Sequence, residues 1–291
     1  MLVLSGMEWL PDKTMVRMQY FLQTGKHLHL DHPITFNEKM QAYKLTYKNP
    51  LMLQCTDKVE VRKFVEGRGL GEILVPVYMV GNKLEDIDFK ALPEKFVIKT
   101  SDGGGGNEVL VCKSKTELGE EEFKHTVKRW LDAPKSKKHI AREWAYQNGY
   151  PRRLVVEQLL EDPLDPHKDI DDYKFFCFNG KFKIMQLHKD RHADHKAGFW
   201  DENLKFIPNV NILYPTFEKD VPLPENIKEM VKVAEKLSEG FPYVRVDLYN
   251  VGGKIYFSEL TFYPASGYIP FNPDSFNMRL GNYFEFPFKN P

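Results

Sequence analysis

Hydrophobic and polar positions follow two different periods along the chain. Runs rich in β-branched and aromatic residues predict strands, whereas apolar residues three and four positions apart predict amphipathic helices. Strands are predicted over residues 73–80, 96–99, 108–112, 154–160, 173–178, 182–187, 244–249 and 254–260. Helices are predicted over residues 57–66, 121–131 and 225–239, with further short helices in the first fifty or so residues. This order predicts an α+β fold preceded by a helical N-terminal segment.

Turn residues and one connector divide this pattern. Asn179-Gly180 and the segment Asn-Val-Gly-Gly at 250–253 each separate two strands, which predicts two β-hairpins. An acidic connector containing proline, residues 161–172, is where we place a boundary between two lobes. The predicted domains are a helical segment over 1–55, a lobe with a glycine loop over 56–158, and a C-terminal lobe over 159–291.

The composition argues against some function classes. Basic and acidic residues both number 41, so the chain lacks the overall positive field that gathers nucleic acid. Three widely spaced cysteines offer neither a zinc ligand set nor a disulfide framework, which favours a reducing compartment. No apolar run approaches the roughly 18 residues of a membrane-spanning helix. We therefore expect a cytoplasmic protein in which any anion-binding site is local.

A glycine-rich loop follows the strand that ends at Lys99. Its four glycines, Gly103, Gly104, Gly105 and Gly106, would let backbone N–H groups approach an anion closely, with the lysine charge nearby. The segment fits neither the P-loop pattern nor the glycine pattern of dinucleotide-binding folds. By itself it predicts either a phosphate-binding loop or a flexible hairpin tip.

Two carboxylates are predicted to meet on the last hairpin. Arg245 and Asp247 have period-two spacing on one strand and so share a face, while Glu259 and Thr261 lie on the paired strand. Carboxylates brought together repel each other unless a cation lies between them, and oxygen ligands suit Mg²⁺. The pair favours a divalent-metal site. The alternative is a pair of ordinary exposed strand charges bridged by Arg245.

The strand before the connector has features of a nucleotide-binding hinge. It is apolar as far as Glu157, Gln158 and Leu159, and adenine needs an apolar slot with backbone groups at its edge. Asp172 and Lys174 follow the connector, where they could meet ribose hydroxyls and a phosphate. Plain core packing is the alternative explanation of this strand.

A histidine-rich segment and a glycine turn complete the candidates. His188, His192 and His195 could form a transition-metal site, but the hydrophilic stretch among them favours a solvated loop over the active site. Arg191 in this loop is a candidate to bind an acidic substrate or a γ-phosphate. Ser266-Gly267, just after the acidic strand, is a candidate for substrate contact, with a simple turn as the alternative.

The order of these pieces resembles the ATP-grasp superfamily, in which two lobes hold an adenine nucleotide. Residues 33–39 (PITFNEK), 172–181 (DYKFFCFNGK) and 259–264 (ELTFYP) resemble more closely the TupA-like ATP-grasp family, associated with bacterial surface polysaccharide and teichuronopeptide synthesis. The resemblance covers almost the whole chain. It implies an ATP-grasp fold whose antiparallel sheets clamp ATP. Because the N-terminal part is too short for the usual first lobe, the acceptor surface is expected to be built differently.

The resemblance also implies a role for each candidate residue. Nucleotide contacts would come from Lys58, Lys99, Gly103, Gly104, Gly105, Gly106, Glu157, Gln158, Leu159, Asp172 and Lys174. Mg²⁺ would be held by Asp247, Glu259 and Thr261, the last standing where an asparagine is common. Catalysis would depend on Lys174, Arg191 and Arg245, and the substrate would lie at Ser266 and Gly267.

The implied activity is ATP-dependent amide formation, in which a carboxylate is activated as an acyl phosphate and joined to an amine. The carboxylate is expected on a uronic-acid sugar or glycan precursor, and the amine on an amino acid or other small amine. Peripheral association with polysaccharide machinery is expected, and nucleic acid is not. The alternatives are an ATP-grasp kinase, a glycosyltransferase and a nucleotide-sensing module without catalysis.

Overall fold

The computed structural model describes residues 7, 9–104, 106, 108–133, 141–191 and 193–286. Its α-helices are α1 (Asp12–Thr24), α2 (Phe36–Thr46), α3 (Pro50–Thr56), α4 (Glu60–Gly67), α5 (Lys115–Leu118), α6 (Glu120–Asp132), α7 (Trp144–Gln147), α8 (Ile227–Ser238) and α9 (Asp274–Tyr283). Its strands are β1 (Val77–Gly81), β2 (Phe96–Thr100), β3 (Val109–Cys112), β4 (Leu154–Gln158), β5 (Asp172–Phe178), β6 (Lys181–Lys189), β7 (Lys196–Asp201), β8 (Phe206–Ile207), β9 (Tyr243–Val251) and β10 (Lys254–Thr261). Short 3₁₀ helices cover Gly71–Ile73, Leu84–Asp86, Phe89–Ala91 and Pro264–Gly267.

Side-chain caps determine where two of the helices begin. Thr35 and Glu38 form a capping box at the start of α2, because each side chain accepts a hydrogen bond from the other residue's backbone N–H. The Asp57 carboxylate accepts hydrogen bonds from the N–H groups of Val59 and Glu60. Helix α4 therefore begins at Glu60 and not at the predicted residue 57.

The first sheet is antiparallel, with the strand order β1-β4-β2-β3. One of its faces is apolar, and there Phe96 and Ile98 share a core with Phe123 of α6. Because side chains alternate along a strand, the opposite face carries Lys99 and Glu157. This second face borders the cleft described below.

The second sheet is also antiparallel, with the order β10-β9-β5-β6-β7-β8. Helix α8 packs along one face, through β9, β5 and β6. On the other face, Phe36 of α2 contacts the rings of Phe176, Phe178 and Tyr243. By alternation, Lys174 projects from this same face, beyond the aromatic cluster. That face is thus apolar at one end and polar at the other.

The α+β architecture with two antiparallel sheets confirms the predicted fold class, and both predicted hairpins are present. Two of the predicted strands extended two or more residues beyond the observed ones. β1 begins at Val77 and not at residue 73, because residues 71–73 form a 3₁₀ turn. β4 ends at Gln158, so Leu159 lies beyond the strand.

The domain limits at residues 55 and 158 stay a prediction. The two sheets separate between β4 and β5, yet Val61, Phe64 and Val65 of α4 belong to the core of the second sheet. Among the described helices, none combines the length and the apolar character needed to cross a bilayer.

Candidate functional site

A row of polar side chains crosses the open end of the second sheet. Glu259 of β10 is paired with Asp247 of β9, which is paired with Lys174 of β5, which in turn is paired with Gln186 of β6. Directly paired residues project from the same face, so these four side chains lie side by side. Asp247 is fully buried and Lys174 is 8% exposed. The predicted meeting of two carboxylates on this hairpin is therefore present.

Two cations neutralise the buried carboxylate at the centre of this row. Lys174 Nζ lies 2.6 Å from Asp247 Oδ2, and Arg245 donates to both Asp247 oxygens, at 2.7 and 2.6 Å. Arg245 Nη2, which donates to Asp247 Oδ2, also lies 3.3 Å from Glu259 Oε1 and 3.0 Å from the Thr261 hydroxyl. Burial opposes the charge of Arg245, but the nearby carboxylates outweigh it, so its pKa is raised. The arginine bridge that the sequence left as an alternative thus coexists with the acidic pair.

Asp172 lies next to this row and has one unsatisfied oxygen. It is 2% exposed, and its Oδ2 accepts from Lys174 at 2.7 Å and from Arg191 at 3.1 Å. Its Oδ1 is buried and has no hydrogen-bond partner. A buried unpaired carboxylate oxygen can receive a hydroxyl or amine hydrogen from a ligand. Arg191 is largely exposed, as expected for a residue of a solvated loop.

A histidine pair borders the row on the side of β6. His188 Nδ1 lies 2.8 Å from His195 Nε2, and the His195 ring lies against Tyr214. Burial, followed by the charges of Lys174 and Arg191, lowers the pKa of His188 to about 2. Only 5% of His188 is exposed, because it lies in β6, before the hydrophilic stretch that was predicted to be a solvated loop. In the part of the chain that the structure describes, no group of three or more metal-binding side chains forms a transition-metal site.

The cleft between the sheets brings together three of the predicted nucleotide-binding residues. Lys58, Lys99 and Glu157 line it from the side of the first sheet, and Phe257-Ser258 of β10 lines it from the second. Lys99 Nζ lies 2.5 Å from Glu157 Oε2. The cleft thus places a lysine and a glutamate next to the strand that carries Glu259.

Apolar side chains continue the first sheet's cleft face beyond these charges. Val109 and Val111 of β3 are paired with Lys99 and Val97 of β2, and they are 39% and 48% exposed. Exposed neighbouring valines beside a buried ion pair provide an apolar surface that a flat ring could cover.

An arginine fixes the two ends of the glycine loop. Arg152 forms ion pairs with Asp102 before the loop and with Glu108 after it, at 2.9 and 3.1 Å. Lys58 reaches across and donates to the carbonyl of Gly103. A Cβ on Gly103 would lie 2.4 Å from the hydroxyl oxygen of Thr100, so this position requires glycine.

The remaining candidates are placed less centrally. Gly104 and Gly106 have open space around them, and Gly105 lies outside the described residues. Gln158 is exposed at the end of β4, where its N–H donates to the carbonyl of Pro76, and Leu159 follows it. Neither Gln158 nor Leu159 lines the cleft.

The turn containing Ser266 and Gly267 lies against the N-terminal segment. Lys44 of α2 donates to the carbonyl and hydroxyl of Ser266, at 2.9 and 3.2 Å. Gln41, one helical turn earlier, donates to the carbonyls of Ser266 and Gly267. Burial, followed by the charges of Glu259 and Glu143, raises the pKa of Tyr146 of α7 well above its usual value. The Tyr146 ring lies 5.9 Å from the ring of Tyr263, the residue that precedes the turn.

Several polar residues of this region were not predicted from the sequence. Gln186 lies in a strand that reads as ordinary core, and Lys44 lies in a helix assigned no function. Arg152 carried no motif. The sequence feature that could have identified such residues is a charged or amide side chain inside an apolar pattern, since such side chains are rarely buried without a partner or a ligand.

Comparison with known proteins identifies a family and several solved structures that are similar to this chain. A family model described as TupA-like ATPgrasp matches residues 38–285. No curated protein matches the chain. The D-alanine--D-alanine ligase of Bacillus anthracis matches with 21% identity and a TM-score of 0.43, covering 72% of this chain and 57% of that one.

Two further solved structures give similar values. The D-alanine-D-alanine ligase of Helicobacter pylori has 14% identity and a TM-score of 0.47, covering 79% of this chain and 61% of that one. The L-amino acid ligase of Bacillus licheniformis has 15% identity and a TM-score of 0.46, covering 79% and 49%. The chain therefore spans less than two thirds of the length of each of these structures.

Proposed function

This chain belongs to the TupA-like ATP-grasp family, and from that premise we propose that it is an ATP-dependent, Mg²⁺-requiring carboxylate-amine ligase. It activates a carboxylate as an acyl phosphate and joins it to an amine. The observation that carries the proposal is the row of Glu259, Asp247 and Lys174, in which Glu259 directly follows Ser258 of the cleft that Lys58 and Lys99 line. Acidic oxygens and lysines at one cleft suit a metal-bound polyphosphate.

The acidic pair fits Mg²⁺. Mg²⁺ in nucleotide sites is bound by one or two carboxylates together with phosphate oxygens, and Asp247 and Glu259 supply two carboxylates on paired strands. Both now share one nitrogen of Arg245, which occupies the position of a cation between them. The bound ion would supply charge neutralisation of the phosphates. Thr261 is next to Glu259 and is the third candidate ligand, because its hydroxyl lies 3.0 Å from that carboxylate.

The nucleotide is assigned to the cleft face of the first sheet. Val109 and Val111 give adenine an apolar surface, Glu157 lies at the adenine edge with Gln158 and Leu159 following, and Asp172 Oδ1 is an unfilled acceptor for ribose. Lys58, Lys99 and Lys174 offset the phosphate charge. The glycine loop, from Gly103 to Gly106, covers the phosphates and excludes water that would hydrolyse an acyl phosphate.

The chain's own residues then divide the reaction between them. Arg245 and Lys174 stabilise the γ-phosphoryl group while the substrate carboxylate attacks it, and Arg191 binds an acidic group at the rim. As the acyl phosphate forms, the bond between the γ-phosphorus and the ADP oxygen breaks, and ADP keeps the bonding electrons. The amine next attacks the acyl carbon and loses a proton, an amide forms, and phosphate leaves with the bonding electrons of the broken C–O bond. We place the carboxylate on a uronic-acid sugar or glycan precursor and the amine on an amino acid. We place the reaction in the cytoplasm, which supplies ATP and keeps thiols reduced.

A coupled ADP-release screen over uronic acids and amino acids tests this function. ADP and free phosphate should appear only when both a carboxylate and an amine are present. Asp247→Asn and Glu259→Gln should abolish that release, whereas Asp132→Asn, at an exposed ion pair of α6, should keep it. Full activity of either acidic variant would refute the metal assignment. ADP release with phosphate retained on the product would indicate a kinase, and thermal stabilisation by a UDP-sugar but not by ATP would indicate a glycosyltransferase.

A further inference from the structure

The turn after β10 has an unusual backbone conformation. Ala265, Ser266 and Gly267 have consecutive φ angles of 45°, 55° and 75°. In the left-handed region, the Cβ of a residue with a side chain comes too close to the backbone carbonyl oxygen, so this conformation is disfavoured. Such conformations persist where the surroundings over-determine them, and they cluster at functional sites. Contacts from the surrounding residues must therefore stabilise this turn.

Two buried side chains of α2 hold the turn. Gln41 and Lys44 are 0% and 1% exposed. Gln41 Nε2 lies 3.1 Å from the Ser266 carbonyl and 3.0 Å from that of Gly267. Lys44 Nζ lies 2.9 Å from the Ser266 carbonyl, 3.2 Å from its hydroxyl and 3.1 Å from the carbonyl of Ala141. Three acceptors match the three N–H groups of an ammonium, and two of them belong to Ser266.

The Ser266 hydroxyl is left with a hydrogen to donate. Its oxygen accepts from Lys44, and a lysine ammonium cannot accept in return. Within the described part of the chain, the bonds of this hydroxyl do not include one in which it donates to a protein acceptor. Ser266 is partly exposed, so a ligand can reach it. The turn thus presents an O–H donor whose oxygen is anchored to a buried cation.

The chemistry of this donor favours an anionic oxygen ligand. Burial lowers the pKa of Lys44 to about 7, with the Glu143 carboxylate opposing that effect, and the Tyr268 ring lies 4.9 Å from Nζ. An added carboxylate would stabilise the protonated lysine and so be bound together with a proton near neutral pH. A neutral hydroxyl ligand would offer no such gain.

We propose that Lys44 is a positioning residue that orients the Ser266 hydroxyl to bind the carboxylate of a substrate, so that the N-terminal helical segment forms a wall of the acceptor site. The proposal rests on the proposed function for the identity of that site, but carboxylate binding itself requires no turnover. It gives α2 a task in substrate binding, beyond its packing on the second sheet.

Titration calorimetry of the full chain with sodium glucuronate and with L-alanine, each in the presence of ADP and Mg²⁺, tests the proposal. Wild type should bind at least one of them with uptake of a proton near pH 7, and the uncharged methyl ester of glucuronate should bind at least tenfold more weakly. Ser266→Ala and Lys44→Met should each weaken carboxylate binding at least tenfold. Lys44→Arg should restore part of the carboxylate affinity, since a guanidinium can also donate to both Ser266 oxygens.

Lys39→Met is the matched control, because Lys39 lies on the same helix and also donates to two carbonyls, those of Gly281 and Phe284, away from the turn. It should keep wild-type carboxylate affinity. ADP affinity, measured with a fluorescent nucleotide, should be unchanged in Ser266→Ala. If Lys44→Met does not fold, Ser266→Ala alone still tests the proposal. Equal affinity in wild type and Ser266→Ala, equal affinity for acid and ester, or no carboxylate binding by wild type would each overturn the proposal. Carboxylate binding as expected with no ADP release in any acceptor screen would instead count against the ligase function alone.

Discussion

Replacing Lys174 with methionine is the most informative perturbation of the acidic row. Lys174 bridges two buried carboxylates, Asp172 at 2.7 Å and Asp247 at 2.6 Å. Their side chains are 3% and 0% exposed, so water cannot replace the lost charge. Methionine keeps the length and apolar stem of the side chain, so the variant removes the charge with little change in packing.

The expected loss of stability can be bounded from the remaining partners. Removing one member of a buried ion pair costs about 3–5 kcal/mol because a charge is left uncompensated. Here Arg245 still contacts Asp247 and Arg191 still contacts Asp172, which favours the lower limit. We therefore expect a loss of about 3 kcal/mol, a decrease in Tm of about 6–10 °C for a chain of this size.

Mg²⁺ distinguishes a metal site from a merely structural ion pair. In wild type, free Mg²⁺ must compete with Lys174 for Asp247, so it should change the Tm little. In Lys174→Met it should bind the carboxylates that have lost their lysine and, at ten times its Kd, return about 1.4 kcal/mol of stability. The assay is urea and thermal unfolding in EDTA and in increasing MgCl₂, with Lys128→Met, at the exposed pair with Asp132, as control. A Lys174 variant as stable as the control, or one that Mg²⁺ stabilises no more than wild type, would refute the reasoning.

Three further predictions concern Gly281, His188 and Lys99. Gly281→Ala should destabilise the fold by about 2–4 kcal/mol in urea unfolding, because its Cβ would lie 2.1 Å from the carbonyl oxygen of Ile34. Gly67→Ala is the control and should not destabilise the fold, because a Cβ there has no neighbour within 4 Å. The free energy of unfolding should fall as the pH decreases below about 6.5, by up to about 1.4 kcal/mol per pH unit. The reason is that the unfolded chain protonates His188, whereas the native state, in which the pKa of His188 is lowered to about 2, does not. His188→Phe should flatten this slope in unfolding curves recorded from pH 7 to pH 4. Lys99→Met should raise the KM for ATP at least tenfold, whereas loss of the exposed Lys95, paired with Glu161, should leave it unchanged.

The sequence predicted what depends on local pattern. Period-two spacing placed Arg245 and Asp247 on one face, and Asn179-Gly180 marked a hairpin that the structure contains. These features are readable because alternation and turn chemistry act over a few residues. The facing of Glu259 and Asp247 on the β9–β10 hairpin depends in addition on a β-bulge between Phe257 and Glu259, because an uninterrupted register would pair Ser258 with Asp247.

The sequence could not reveal which side chains the second sheet buries at its polar end. Gln186 and His188 follow the largely apolar part of β6, and only the pairing of β6 with β5 places them beside Lys174 and Asp172. Likewise, Lys44 and Ser266 are 222 positions apart, so their contact depends on how α2 packs against the turn. Long-range packing therefore determines the parts of the site that local motifs omit.

The charge balance of the polar face indicates which form of the metal it should accept. Three acids, Asp172, Asp247 and Glu259, are matched by three bases, Lys174, Arg191 and Arg245, all joined by direct ion pairs. A free divalent cation would have to displace a base that then has no acid to pair with. Phosphate oxygens entering with the cation give Lys174 and Arg245 new partners and release the carboxylates for the metal, so the exchange conserves the number of ion pairs. The wild-type site should therefore respond strongly to Mg²⁺ with ATP and weakly to either alone, because only their joint entry leaves no buried charge uncompensated.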